Sequence, residues 1–158
     1  MTDDRSDNLK SLMKTALLTL ILSSYFLISA ENICGYPKDA TVEVTSATGE
    51  KKFFSVGIAE TDALHEKGLM YCRKMEKNQG LFFIFDNEQQ RFFWMKNTTI
   101  ELAVIFIDRD FNVVSVRRGV PLSKTTLPSV KPVKFVLEVN WEAGKSVLPG
   151  DKIKLKML

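Results

Sequence analysis

Histidine is nearly missing from this chain, with His65 the single example among 158 residues. Zinc sites built on two or three histidines are thereby excluded, and a Ser-His-Asp triad has only one candidate base. His65 falls in a short predicted helix and reads as a surface residue. Cysteine is scarce too: Cys34 and Cys72 are too far apart for the usual spacing of metal ligands. There is no Gly-x-Ser-x-Gly elbow and no glycine loop of the kind that cradles phosphate. Basic residues are mixed with acids at a net charge of +3 and form no stripe. Nucleic-acid binding asks for a clustered patch with aromatics on the same face, so no nucleic-acid partner is expected. No cofactor is expected either. Internal repeats and low-complexity linkers are absent, and the length suits one domain.

The chain also lacks an apolar run long enough to span a bilayer. The uncharged stretch Thr15 to Ala30 falls short of the roughly 20 residues required and has the length of a signal-peptide core. Residues 1–30 are read as a signal peptide, cleaved after Ala30, with Met13-Lys14 as the expected true start because the lead Asp3, Asp4, Asp7 is acidic. An uncleaved anchor is the minor alternative, so membrane contact is otherwise transient. Residues 31–40 then form a mature N-terminal segment and 41–158 a single globular domain, exported to the periplasm or the extracellular space. Disulfides persist there, and a Cys34–Cys72 bridge would close a loop of about 39 residues, worth on the order of 4 kcal/mol at most.

What is present in quantity is short apolar strands. Leu81 to Phe85, Phe92 to Lys96 and Leu102 to Ile107 are aromatic or β-branched runs bounded by polar residues. Thr41 to Thr45 alternates, Ala47 to Glu50 is a turn, and Lys51 to Ala59 returns. Thr61 offers an N-cap and Gly68 a stop for one short helix near residues 61–67. Asp86 to Gln90 reads as a polar loop. Val113 to Val116 is a strand, and Gly119 to Lys134, with Pro121, Pro128 and Pro132, is a long loop. The strand Phe135 to Asn140 puts Phe135, Leu137 and Val139 on one face, with Val136 and Glu138 on the other. Lys152, Lys154 and Lys156 alternate with Ile153, Leu155 and Met157 as an edge strand would. The pattern predicts a mainly β domain, a β-sandwich or partly closed barrel of short, mostly antiparallel strands.

The polar candidates gather around one aromatic run. Phe93 and Trp94 lead directly into Lys96, Asn97 and Thr98, while Glu138 interrupts an otherwise apolar strand. A buried Glu138 needs a partner, and Lys96 is the natural one. Two readings stay open. Lys96 and Glu138 form a structural ion pair, with Asn97 and Thr98 capping the turn, or Phe93, Trp94, Lys96, Asn97 and Glu138 line a small-ligand cleft. Asp108 is the remaining carboxylate for acid–base chemistry with Glu138, although it reads better as the cap of the Arg109-Asp110 turn.

Five ordered motifs carry a family resemblance: Gly68-Leu69-Met70, Gly80 to Phe85, Phe93 to Thr98, Phe106-Ile107-Asp108 and Val136 to Asn140. Together they resemble the domain of unknown function 192, over roughly residues 41 to 157. The resemblance implies a compact β domain and supplies no reaction. This chain departs from the family pattern at three polar positions. Ile100-Glu101-Leu102-Ala103 replaces Ile-Pro-Leu-Asp, Gln79 stands where an acid is frequent, and His65 stands where Arg is usual. The expectation is therefore a secreted or periplasmic small-ligand binding or accessory module without catalysis, whose partner is a small molecule or an envelope protein. The alternatives are a carboxylate-dependent hydrolase of envelope polysaccharide and a module that docks on an envelope protein through the Lys152 to Leu158 edge.

Overall fold

The computed structural model describes residues 32–158; the expected signal segment lies outside the described residues. The main element is a seven-stranded sheet in the order β11-β3-β4-β5-β10-β7-β8. Its strands are β3 (Ala40–Thr45), β4 (Lys51–Ala59), β5 (Gln79–Gln89), β7 (Leu102–Ile107), β8 (Val113–Gly119), β10 (Val133–Asn140) and β11 (Lys152–Met157). Two-residue pairings β1 (Asn32–Ile33) with β2 (Tyr36–Pro37), and β6 (Phe92–Phe93) with β9 (Leu127–Pro128), lie outside it.

The sheet curls into a half-barrel, as the mainly β reading predicts. At one end its two edges meet: Asn112 bridges Lys152, Val113 N–H donates to the Asp151 carbonyl at 2.9 Å, and Ile153 N–H donates to that of Phe111 at 2.8 Å. Phe82, Ile105, Ile107, Leu137 and Val139 pack together inside the curl. The opposite face carries Leu81, Phe83, Phe106, Val104 and Val136, covered by loops. Strand β7 is buried along its whole length, which explains why its sequence is an unbroken apolar run rather than an alternating one.

One ladder departs from the antiparallel pattern: β4 and β5 are parallel, with Val56 opposite Gly80 and Ile58 opposite Phe82. Parallel neighbours need a crossover connection. Here α1 (Asp62–Lys67) and the loop after it supply the crossover, carrying Leu69, Cys72 and Met75 onto the Phe83 face as a roof. The helix starts and stops as its sequence predicts. Thr61 Oγ1 accepts from the Leu64 N–H, and Gly68, at φ +46°, closes it with its own N–H on the Leu64 carbonyl.

Three expectations need correction. Strand β5 continues through the polar stretch to Gln89, because Val133 of β10 pairs there past a register shift. The strand placed at Phe92 to Lys96 ends at Phe93, and Lys96 and Asn97 form a turn. A second helical turn, α2 (Trp141–Gly144), follows β10. Cys34 and Cys72 are joined as a disulfide. Among the described residues no helix is long and apolar enough to cross a membrane.

Candidate functional site

The site forms where the crossover roofs β10. Glu138 sits in mid-strand between Leu81 of β5 and Val104 of β7, on the same face as Val136. Strands on both sides close it off laterally, and it is 4% exposed. Beside it, at the end of α1, Gly68 leaves space. A Cβ built on Gly68 would stand 3.9 Å from Glu138 Oε2 and 3.6 Å from Phe83 Cζ. The result is a cavity of about 30 Å³ with His65, Gly68, Phe83, Phe93, Trp94, Thr98 and Glu138 among its walls. Glu66 and Lys67 belong to its α1 rim.

Glu138 Oε2 has no hydrogen-bond partner. A buried, unpaired carboxylate is costly, and the group responds by holding its proton. Burial lifts its pKa from the ordinary 4.5 to about 8. Tyr36, from β2, feels the same environment: burial first and the Glu138 charge second raise its phenol to about 12. Its hydroxyl donates to the Gly68 carbonyl at 2.8 Å, fixing the turn that leaves the cavity open.

The expected Lys96–Glu138 ion pair does not form. Lys96 is exposed and places Nζ 5.0 Å from the centre of the Trp94 ring. The physical reason is the turn at Lys96-Asn97, which points the lysine outward instead of continuing a strand beside β10. The residue of that run that enters the core is Met95, 1% exposed. Phe93 is partly buried, edge-on to Phe83 at 5.0 Å and to Phe106 at 5.7 Å, whereas Trp94 is 46% exposed at the mouth. Phe93, Trp94 and Glu138 thus line one cavity, and Lys96 is not among its walls but lies over the Trp94 ring.

Asn97 has a different task. Its backbone is left-handed, at φ +57°, a conformation asparagine tolerates better than most residues. Its carbonyl accepts from the Tyr71 N–H at 2.8 Å and its amide donates to the Tyr71 hydroxyl at 3.0 Å. Thr99 Oγ1 donates to the Cys72 carbonyl at 3.0 Å. These bonds lace the Trp94–Thr98 wall to the loop that the disulfide ties to the β1–β2 hairpin.

His65 is not the surface residue that its sequence position suggested. Its ring lies 4.3 Å from that of Phe85, and Nε2 sits 3.1 Å from the Ala59 carbonyl and 3.0 Å from that of Ile84. Both neighbours only accept, so the proton resides on Nε2. A helical pattern of six residues gave no means of seeing that this face rests on β5. Beyond His65, Phe93 and Trp94, which it shares with the cavity, a groove of about 280 Å³ extends past Phe85, Gln90, Arg91 and Phe92. Arg91 stacks over Phe85 with its carbon 3.9 Å from the ring centre, and its Nε is buried without a partner. Asp108 is remote in the sheet: it follows β7 four residues beyond Val104, the partner of Glu138, and its oxygens accept from Asp110 N–H and from the Asn112 backbone and side chain.

The chain is thus a small β domain, a half-barrel whose crossover roofs one buried acid in an aromatic-walled cavity. Residues 43–155 match the model of the DUF192 family, described as uncharacterised ACR proteins, and the chain belongs to that family. It is similar to a proposed transcription regulator from Sinorhizobium meliloti 1021, at 33% identity and a TM-score of 0.72, over 75% of this chain and 94% of that one. It is similar also to a protein of unknown function from Novosphingobium aromaticivorans DSM 12444, at 34% identity and a TM-score of 0.69, over 73% and 84% of the two chains. No curated protein matches.

Proposed function

We propose that this chain is an exported binding or accessory module that captures a small molecule at the Glu138 cavity and performs no chemistry of its own. The observation that carries this reading is the partnerless Glu138 Oε2 at a cavity walled by Phe83, Phe93 and Trp94. A fold that buries a carboxyl without a partner loses stability, and small-ligand sites are where converging polar groups in apolar walls are expected. Half-exposed Trp94 provides a stacking face at the mouth. Export is supported by the bridged cysteines, which an oxidising compartment sustains, and by the signal-like residues 1–30.

The hydrolase reading has less support, since Asp108 is committed to its turn and Glu66 stands on the exposed side of α1. The docking reading meets a strand edge carrying exposed Lys152, Lys154 and Lys156, a composition that discourages strand addition. A thermal-shift screen of the purified protein against sugars, nucleotides, amino acids and amines, run beside Glu138→Gln, tests the proposal. A ligand that raises the melting temperature of the parent and not of the variant is the expected result. If no compound shifts the parent, the binding reading falls.

A further inference from the structure

Resting on the reading of the cavity as a ligand site, we infer that it takes the protonated amine of its ligand, with the carbon chain lying along Trp94 into the adjoining groove. Most of the hydrogen-bonding capacity around the cavity is used up within the fold. Three side-chain donors around the cavity are already engaged. Tyr36 Oη donates to the Gly68 carbonyl, Thr98 Oγ1 to the Lys96 carbonyl at 3.3 Å, and the His65 Nε2 proton faces the Ala59 and Ile84 carbonyls. Lys67 is turned away, its Nζ 4.2 Å over the Tyr36 ring. What remains in the buried part of the cavity is Glu138 Oε2 and the aromatic faces; the partnerless donor Arg91 Nε lies in the groove against Phe85, and the half-exposed Trp94 stands at the mouth.

A hydroxyl or amide placed there would meet one buried donor, the proton of the neutral Glu138 carboxyl, and would leave that acid uncharged, while a carboxylate would set a second acid against it. An ammonium has three donors and no acceptor, so acceptors and π faces satisfy it completely. A metal ion is a poor alternative, because among the described residues no three Asp, Glu, His or Cys side chains gather to hold one. Size agrees: about 30 Å³ accommodates the head of an amine and not a whole ligand, while the groove of about 280 Å³ accommodates its chain.

Charge balance gives the event a signature. Burial keeps the free carboxyl protonated at neutral pH, so seating an ammonium on it expels that proton to solvent. Of the charged and titratable groups on the packed elements, Tyr36 of β2 feels the Glu138 charge, and His65, Glu66 and Lys67 of α1 border the same cavity, Glu66 from the exposed side and Lys67 turned over Tyr36.

Calorimetry with hexylamine, hexanol and hexanoate, which share a chain and differ in their heads, tests the inference on the parent and on Glu138→Gln. At pH 7 in buffers of different ionisation heat, hexylamine is expected to bind at least about tenfold tighter than hexanol, to release about one proton, and to lose both properties in Glu138→Gln. Hexanoate is expected to give no binding. Phe92→Ala, at a residue of the groove alone, is expected to weaken hexylamine while proton release persists, which separates the groove from the cavity. Equal binding of hexanol and hexylamine, or amine binding without proton release, overturns the ammonium assignment. If hexylamine fails while another compound of the thermal screen still acts through Glu138, the assignment falls and the ligand site stands. If neither acts, both fall.

Discussion

Glu138 departs furthest from what its position would ordinarily allow. Its folded pKa of about 8 exceeds the ordinary 4.5, so between those values the folded chain binds a proton that the unfolded chain has released. Stability from this group is therefore fully present below about pH 4.5, declines as pH rises through the window, and levels off above about pH 8. The full excursion is at most on the order of 5 kcal/mol. Glu138→Gln removes the titration. Urea unfolding across pH should give a flatter profile for the variant, with its advantage over the parent growing from pH 5 to pH 8. Lys96, by contrast, is exposed, with its Nζ over the Trp94 ring. Lys96→Ala should change unfolding free energy by less than about 0.5 kcal/mol, whereas loss of a buried ion pair would cost several times more. The burial of Glu138 was legible in its strand, since a single acid amid Val136, Leu137 and Val139 has nowhere wet to go. Its lack of a partner was not, because the turn at Lys96-Asn97 depends on how the segment anchors through Met95 and Ser123, whose carbonyl accepts from the Met95 N–H at 3.0 Å.

At the scale of elements, the site wall is a chain of short attachments. The β1–β2 hairpin is tied to the roof by the Cys34–Cys72 bridge and by Tyr36 on Gly68, and the roof is tied to the Lys96-Asn97 turn through Tyr71. Cleaving the bridge frees a long loop in the unfolded chain and should lower stability by up to about 4 kcal/mol, as urea midpoints with and without reductant would measure. Strand identities were largely readable from period and turn residues: β3, β4 and β7 fall where alternation or an unbroken apolar run puts them. The helix was readable from its two caps. The parallel pairing of β4 with β5 was not, since nothing local distinguishes a strand that pairs forward from one that pairs back. That pairing is what brings the Gly68 turn over Glu138, so the site's architecture was hidden even though three of its lining residues, Phe93, Trp94 and Glu138, were visible.

For the whole molecule, the point of closure between β11 and the start of β8 holds the half-barrel's ends together. Ile153 is 6% exposed and packs inside the curl, so β11 belongs to the core and is not a detachable edge. Ile153→Ala should cost about 2–5 kcal/mol in chemical denaturation, while Lys154→Ala on the outer side should be close to neutral. Removing residues 152–158 to probe docking would thus unsettle the fold itself. Composition and pattern made the mainly β class legible, whereas the curl depends on backbone bonds among Phe111, Val113, Gly150, Asp151 and Ile153 that no side-chain pattern encodes. The finished fold leaves the Glu138 carboxyl without a partner. Carbon-13 NMR titration of the Glu138 side chain in the purified protein, alone and with saturating hexylamine, tests that directly. A pKa near 8 in the free protein that falls well below it with the amine is the predicted result; an ordinary glutamate pKa that hexylamine does not move would contradict the account.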